Sequence, residues 1–202
     1  MPKIENKKIF EIASNQQGYL TAKQALNSGI SYRMQYHYKK TGYWIETIRG
    51  VFRLSQYPNS PNEDLVKWAL WSRDRGDKIQ AVISHQTALS VHELSDVMPS
   101  KIHLTVPSGF RKKTPEGCVL HKATIASEDV EQRDGFLITN PLRTIIDVAE
   151  GNITIELLEQ AVRGACDQGL LVPKNIINAK MSNKAKFKIK IIIDNIKKNP
   201  KF

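Results

Sequence analysis

The sequence predicts an α+β protein in two parts, on three observations. Within the first 55 residues, helical periodicity gives way at once to short β-branched and aromatic runs. From residue 60 onward, helix-like segments are interspersed with strand-like ones, the pattern of helices packed on a small mixed sheet. Between them, Tyr57-Pro58-Asn59 reads as an extended linker, because proline disfavours helix in the residue before it. The expected parts are therefore 1–56 and 57–202.

The N-terminal elements follow from periodicity and capping. Ile4, Lys7, Lys8 and Glu11 alternate with Ile9, Phe10, Ile12 and Ala13 as an amphipathic helix of about three turns, ended near Gly18. Thr21 caps a second helix, AKQALNSG, which Gly29 ends. Ser31 caps a third, running to Gly42. YWIETIRGVFRL then reads as a hairpin around Arg49-Gly50. Three helices and a hairpin in this order make a winged helix-turn-helix, in which the third helix enters the major groove of DNA.

At about 100° per residue, the third helix separates into two faces. Met34 and Tyr38 lie together toward the expected core, flanked by Ser31 and Gln35. Tyr32, Arg33, Tyr36 and Lys40 gather on the other side, with His37 and Lys39 at its edges. Arginine can read guanine bidentately, while tyrosine and lysine mainly grip phosphates. The candidate DNA contacts are Ser31, Tyr32, Arg33, Gln35, Tyr36, His37, Lys39 and Lys40, with Arg49 and Arg53 from the hairpin.

Charge supports that assignment. The net +10 is distributed as +6 over residues 1–55, −3 over 56–179 and +7 over 180–202. Positive charge concentrated at the ends is the footprint of a phosphate-backbone binder. No apolar run is long enough for a secretory signal or a membrane span, so the chain reads as cytoplasmic with no membrane partner. Cys118 and Cys166 stand without a CxxC or a cluster of histidines beside them, which predicts two buried free thiols rather than a disulfide or a zinc site.

The middle region supplies the second part. SPNEDLVKWALWSRD opens on Ser60 as N-cap, Pro61 at N1 and Glu63 at N3. Ser84 is placed to cap HQTALSVHEL; KIHLTVP, CVLHK and GFLIT read as strands; Thr139 and Pro141 start a helix, and ITIELLEQAVRGACDQG forms another ending at Gly169.

Several runs in this order resemble the AbiEi-type antitoxins: GYLTAKQALNSGIS, the helix to Gly42 and IRGVFRL, then VISHQTALSVHELSD, KIHLTVPSG and TNPLRTIIDVA. The resemblance extends from residue 4 to about 175. It implies a bacterial transcriptional regulator and antitoxin of a type IV toxin–antitoxin operon, of the phage abortive infection class. Such a protein binds inverted or direct repeats in its own promoter and represses it. It also counters a nucleotidyltransferase-like toxin without forming a tight complex.

Read without the resemblance, the residues offer little catalytic equipment. His85 and His92 are spaced i, i+7, while His103 and His121 sit on strands, and none has an acidic or cysteine partner at metal-ligand spacing. Ser84-His85 lacks a nucleophile elbow, and no glycine-rich phosphate loop is present. A magnesium nuclease needs clustered carboxylates, commonly with lysine. No Glu-x-Lys or Asp-x-Lys occurs in the middle region, and Glu128, Asp129 and Glu131 read as a loop or helix start. The expectation is a non-enzyme without metal or cofactor; a plain regulator with no toxin and a nuclease are the alternatives. Arg143 and Asp147, spaced i, i+4, suit an intrahelical salt bridge, or under the resemblance an antitoxic surface. No coiled-coil heptad appears, so the expected state is a monomer that cooperates on DNA. NKAKFKIKIIIDNIKK fits strand alternation and a helical stripe, with its terminal lysines favouring a helix. Whether the lysine-rich segment from about 180 packs or serves as a DNA-binding tail stays open.

Overall fold

The computed structural model describes residues 3–198. The chain divides into two compact units. The first runs to Ala81 and includes Gln132–Leu137; the second comprises Val82–Glu131 and the chain from Ile138 onward.

The first unit begins with α1 (Lys3–Ser14), β1 (Tyr19–Thr21), α2 (Ala22–Asn27) and α3 (Tyr32–Lys40). It continues with β2 (Trp44–Ile48), β3 (Val51–Leu54) and α4 (Glu63–Trp71). The three strands form an antiparallel sheet in the order β1-β3-β2. The expected helices and hairpin are present, and β1 is an addition. Its three residues are too short to show a period, and they are strand only because β3 pairs with them. Gly18 precedes β1 at φ +89, and a Cβ there would lie 2.6 Å from the Tyr57 ring, so both the turn and the packing require glycine. Thr21 closes a capping box on α2: Gln24 N–H donates to Thr21 Oγ1, and Thr21 N–H donates to Gln24 Oε1. Ile9, Leu20, Ala25, Ile30, Tyr38, Trp44 and Phe52 make the core.

Helix α4 belongs to this unit, beyond the Tyr57–Asn59 segment where the sequence suggests a linker. The cause is Arg53. Its guanidinium is buried, 8% exposed, and donates to Glu63 Oε2 at 3.0 and 3.2 Å. It also donates to the carbonyls of Leu54, Tyr57 and Pro58 and to Asn59 Oδ1. One side chain thus ties the segment after the hairpin to the start of α4. Glu63 is the first helical residue rather than N3, and Asn62 stands at the N-cap without a side-chain bond.

The second unit contains β4 (Val82–Ile83), α5 (His85–Val91), β5 (Ile102–Val106) and β6 (Cys118–Lys122). A 3₁₀ turn at Ser127–Asp129 leads into β7 (Val130–Arg133) and β8 (Phe136–Thr139), of which Gln132–Leu137 is counted with the first unit. Four helices complete the order: α6 (Pro141–Glu150), α7 (Ile155–Asp167), α8 (Pro173–Asn178) and α9 (Asn183–Lys198). The five strands order as β6-β5-β4-β8-β7. β5 and β6 are parallel with Ile102 opposite Cys118, whereas β4 and β5 are antiparallel. The acidic stretch read as a loop or helix start is the 3₁₀ turn and the beginning of β7.

Helix α6 is capped by Asn140, whose Oδ1 accepts from Arg143 N–H, with Pro141 following at N1; Thr139 itself is buried in β8. Ile145, Val148, Leu158, Val162, Ile176, Ile189, Ile192 and Ile193 form a helical core. Burial of Ala185, Ile189, Ile192 and Ile193, with Phe187 and Ile191 exposed, resolves α9 as a packed helix with a basic outer face. Cys118 is buried, while Cys166 is half-buried rather than enclosed.

Candidate nucleic-acid interface

Helix α3 is placed by its cap and two inward side chains. Ser31 Oγ accepts from Met34 N–H at 3.3 Å. Tyr38 packs its ring against Trp44, centroids 5.0 Å apart, and edge-on to Tyr43 at 6.5 Å. Gln35, 3% exposed, donates through Nε2 to the carbonyls of Ala22 at 3.1 Å and Ile30 at 3.0 Å. It holds α3 against α2 and is removed from the set of DNA contacts.

Met34 is corrected in the opposite sense: it is 40% exposed and does not share Tyr38's burial. The buried direction bisects Gln35 and Tyr38, which puts Met34 about 70° off-centre on a 100° wheel. An amide matched to two backbone carbonyls outcompetes a thioether for the inside position, because those carbonyls are costly to bury unpaired.

The outward face keeps its expected members. Tyr32 and Tyr36 are 68% and 64% exposed and form, with Lys40, an i, i+4, i+8 stripe. Arg33 and His37 run beside it, both exposed. Among the described residues this face carries no carboxylate ion pair except at Lys39, whose ammonium meets Glu46 Oε2 on β2. In the hairpin, Arg49 is exposed at the turn that Gly50 makes at φ +75. Arg53 is not: its ion pair and backbone bonds make it a structural fastener, so it is withdrawn from the interface. Sequence reasoning missed that role because Arg53 alternates within an apparently exposed hairpin, while its partner Glu63 lies past a proline. Glu46 was also missed, as an acid inside a basic segment.

In the second unit, Arg143 Nε donates to Asp147 Oδ1 at 2.7 Å and Nη1 donates to Asp129 Oδ2 at 3.4 Å. Asp147 is 6% exposed, and its Oδ2 has no partner among the described residues. Burial pushes its pKa up against the opposing pull of Arg143. Asp147 is enclosed and is withdrawn from an accessible antitoxic surface, whereas Arg143 is only half-buried.

Three histidines scattered in the sequence meet in this unit. His103 Nδ1 and His121 Nε2 lie 3.0 Å apart, and His85 stacks on His121 with centroids 3.6 Å apart and planes 11° from parallel. Thr105 Oγ1 donates to Ser84 Oγ, which lies 2.9 Å from His85 Nδ1. Ser84 thus starts α5 without a capping bond and serves this network instead. His85 sits at φ +52, a left-handed backbone that L residues seldom adopt. Desolvation, then repulsion from His121, His103 and Arg143, lowers the His85 pKa to about 3. Burial also lowers His103 and His121. Imidazole lone pairs lie in the ring plane, so parallel stacked rings do not converge on a shared cation. No group of three or more His, Cys, Asp or Glu residues is placed to hold a metal among the described residues.

Comparison with known proteins bears on both parts. Residues 7–55 match the family model described as a transcriptional regulator, AbiEi antitoxin, so the resemblance read from the sequence is shown over that stretch. No curated protein matches the chain. Among solved structures, the RV2827C protein from Mycobacterium tuberculosis is similar at a TM-score of 0.57 and 12% identity, covering 96% of this chain and 77% of that one. At that identity the likeness speaks for the fold alone. No helix among the described residues is long and apolar enough to cross a membrane.

Proposed function

We propose that the chain is a cytoplasmic, non-enzymatic antitoxin and autorepressor that binds double-stranded DNA at inverted or direct repeats in its own promoter. The observation that carries this reading is the exposed Tyr32–Tyr36–Lys40 stripe with Arg33 and His37 beside it, on a helix capped and anchored from behind. The family match over residues 7–55 supports the regulator reading. In the mechanism, α3 lies in the major groove: Arg33 addresses base edges, while the tyrosines and Lys40 hold phosphates. Arg49 at the hairpin turn grips the adjacent backbone, as a wing does, and the bound protein excludes polymerase. Two copies meet on repeated sites from a monomeric pool. Toxin control is a separate activity, directed at a nucleotidyltransferase-like toxin without a stable complex.

A gel shift on DNA upstream of its own gene tests the interface. The combined Arg33→Ala, Tyr36→Ala, Lys40→Ala chain is expected to fold normally and to lose sequence-specific retardation; undiminished specific binding refutes the assignment of α3. The same variant, co-expressed at full length with the neighbouring toxin, is expected still to restore growth. Continued toxicity with soluble wild-type chain refutes the antitoxin half.

A further inference from the structure

Glu46 is a carboxylate within the face proposed to meet polyanionic DNA, and both of its oxygens are occupied. Oε2 meets the Lys39 ammonium near the end of α3, and Oε1 accepts the Gly50 N–H at 3.0 Å in the hairpin turn. Strand alternation puts Glu46 on the same side of β2 as Trp44, and Trp44 packs against Tyr38 of α3. The core thereby fixes the base of the hairpin against α3. Nearer the tip, where the ladder shifts register between Glu46 and Ile48, no buried side chain continues that contact. The carboxylate spans this gap.

We infer that Glu46 is a positioning residue for DNA recognition: it braces the turn carrying Arg49 against α3 and diverts Lys39 from phosphate binding to the brace. The inference rests on the DNA-binding reading above. Its physical content is that an acid retained in a basic face lowers general phosphate affinity, while fixing the spacing of Arg33 and Arg49 raises discrimination. The hydrogen bond from Lys39, then that from the Gly50 amide, holds the Glu46 carboxyl below its ordinary range, so the brace is charged at neutral pH.

The experiment uses the full chain, a duplex it selects from a random-sequence pool, and a scrambled duplex of equal composition, each titrated across a salt series. Glu46→Ala is expected to lower the ratio of selected to scrambled affinity by about 10-fold, the scale of one lost base contact. Scrambled binding is expected to strengthen, with a log–log salt slope steeper by about 0.9 as Lys39 becomes a phosphate contact. Glu46→Gln, which leaves Gly50 an oxygen but removes the charge facing Lys39, is expected to fall between, and it carries the comparison if the alanine chain does not fold. Equal strengthening on both duplexes, with the ratio unchanged, overturns the inference and makes Glu46 a merely repulsive charge. A wild-type chain that selects no sequence overturns the DNA-binding reading along with it. Selection by wild type with an unchanged variant ratio overturns this inference alone.

Discussion

Helix α3 of the first unit and α6 of the second each carry an arginine in a ten-residue neighbourhood, and they use it oppositely. Arg33 projects from an exposed face that it shares with Lys40, Lys39 alone being paired there, with Glu46. Arg143 is held by Asp147 and Asp129, half-buried, in the unit whose histidine cluster has its pKa values lowered by burial. The first arrangement leaves charge available to a partner. The second spends it within the fold, where removing one member leaves another buried and unpaired. The contrast teaches where a substitution should be read: on binding for α3, on stability for the inward networks.

The largest expected effect is from Arg53, the first unit's own inward charge. Arg53→Ala strands Glu63 and three carbonyls, and should cost about 3–5 kcal/mol in urea unfolding, with DNA binding falling only as the unit unfolds. A folded, fully stable Arg53→Ala chain that loses DNA binding would break the contrast by returning Arg53 to the interface. Next is acid. The three histidines have folded-state pKa values below the unfolded value, so the unfolded chain takes up protons first as pH falls. Stability of the second unit is therefore level above about pH 7 and declines below about 6.5, by about 1.4 kcal/mol per pH unit for each proton taken up only on unfolding. His85→Asn removes one titration and suits the left-handed backbone, so urea midpoints from pH 5 to 8 should fall less steeply than in wild type.

Gln35→Leu should be smaller, about 1–3 kcal/mol, chiefly from the buried Ile30 carbonyl left without its side-chain donor. Its thermal unfolding midpoint should drop, whereas Met34→Ala should leave it nearly unchanged; the reverse ranking would restore the simple apolar-inward wheel. Smallest is Arg33→Ala, within about 0.5 kcal/mol of wild type in unfolding while specific retardation weakens. Together these measurements sort outward from inward charge.

Much of the candidate interface was legible because it rests on local signals. Ser31 before an amphipathic stretch, Thr21 with Gln24, and glycines 18, 29 and 50 at turns set the helices and the hairpin without distant partners. The inward roles of Gln35 and Arg53 were not legible, because each depends on a partner supplied by another element; the Arg143–Asp147 pair was legible as i, i+4, and only the burial of Asp147 was not. The Ala22 and Ile30 carbonyls, and Glu63 across a proline, convert polar residues into core ones. Hydrophobic periodicity assigns such residues to the surface by default. The histidine cluster is the extreme case, since β5 and β6 must pair in parallel before His103 and His121 can meet.

By itself, then, the sequence determined an α+β chain with three helices and a hairpin in a basic stretch at its start, and which residues of the third helix could face outward. Capping, glycine conformations and net charge are properties of neighbouring residues, and they survive without a fold. Only the tertiary structure decided that α4 joins the first unit, that α9 packs, and that Gln35, Arg53 and Asp147 are enclosed. Those outcomes turn on whether a buried polar group finds its complement across space, which no local period encodes.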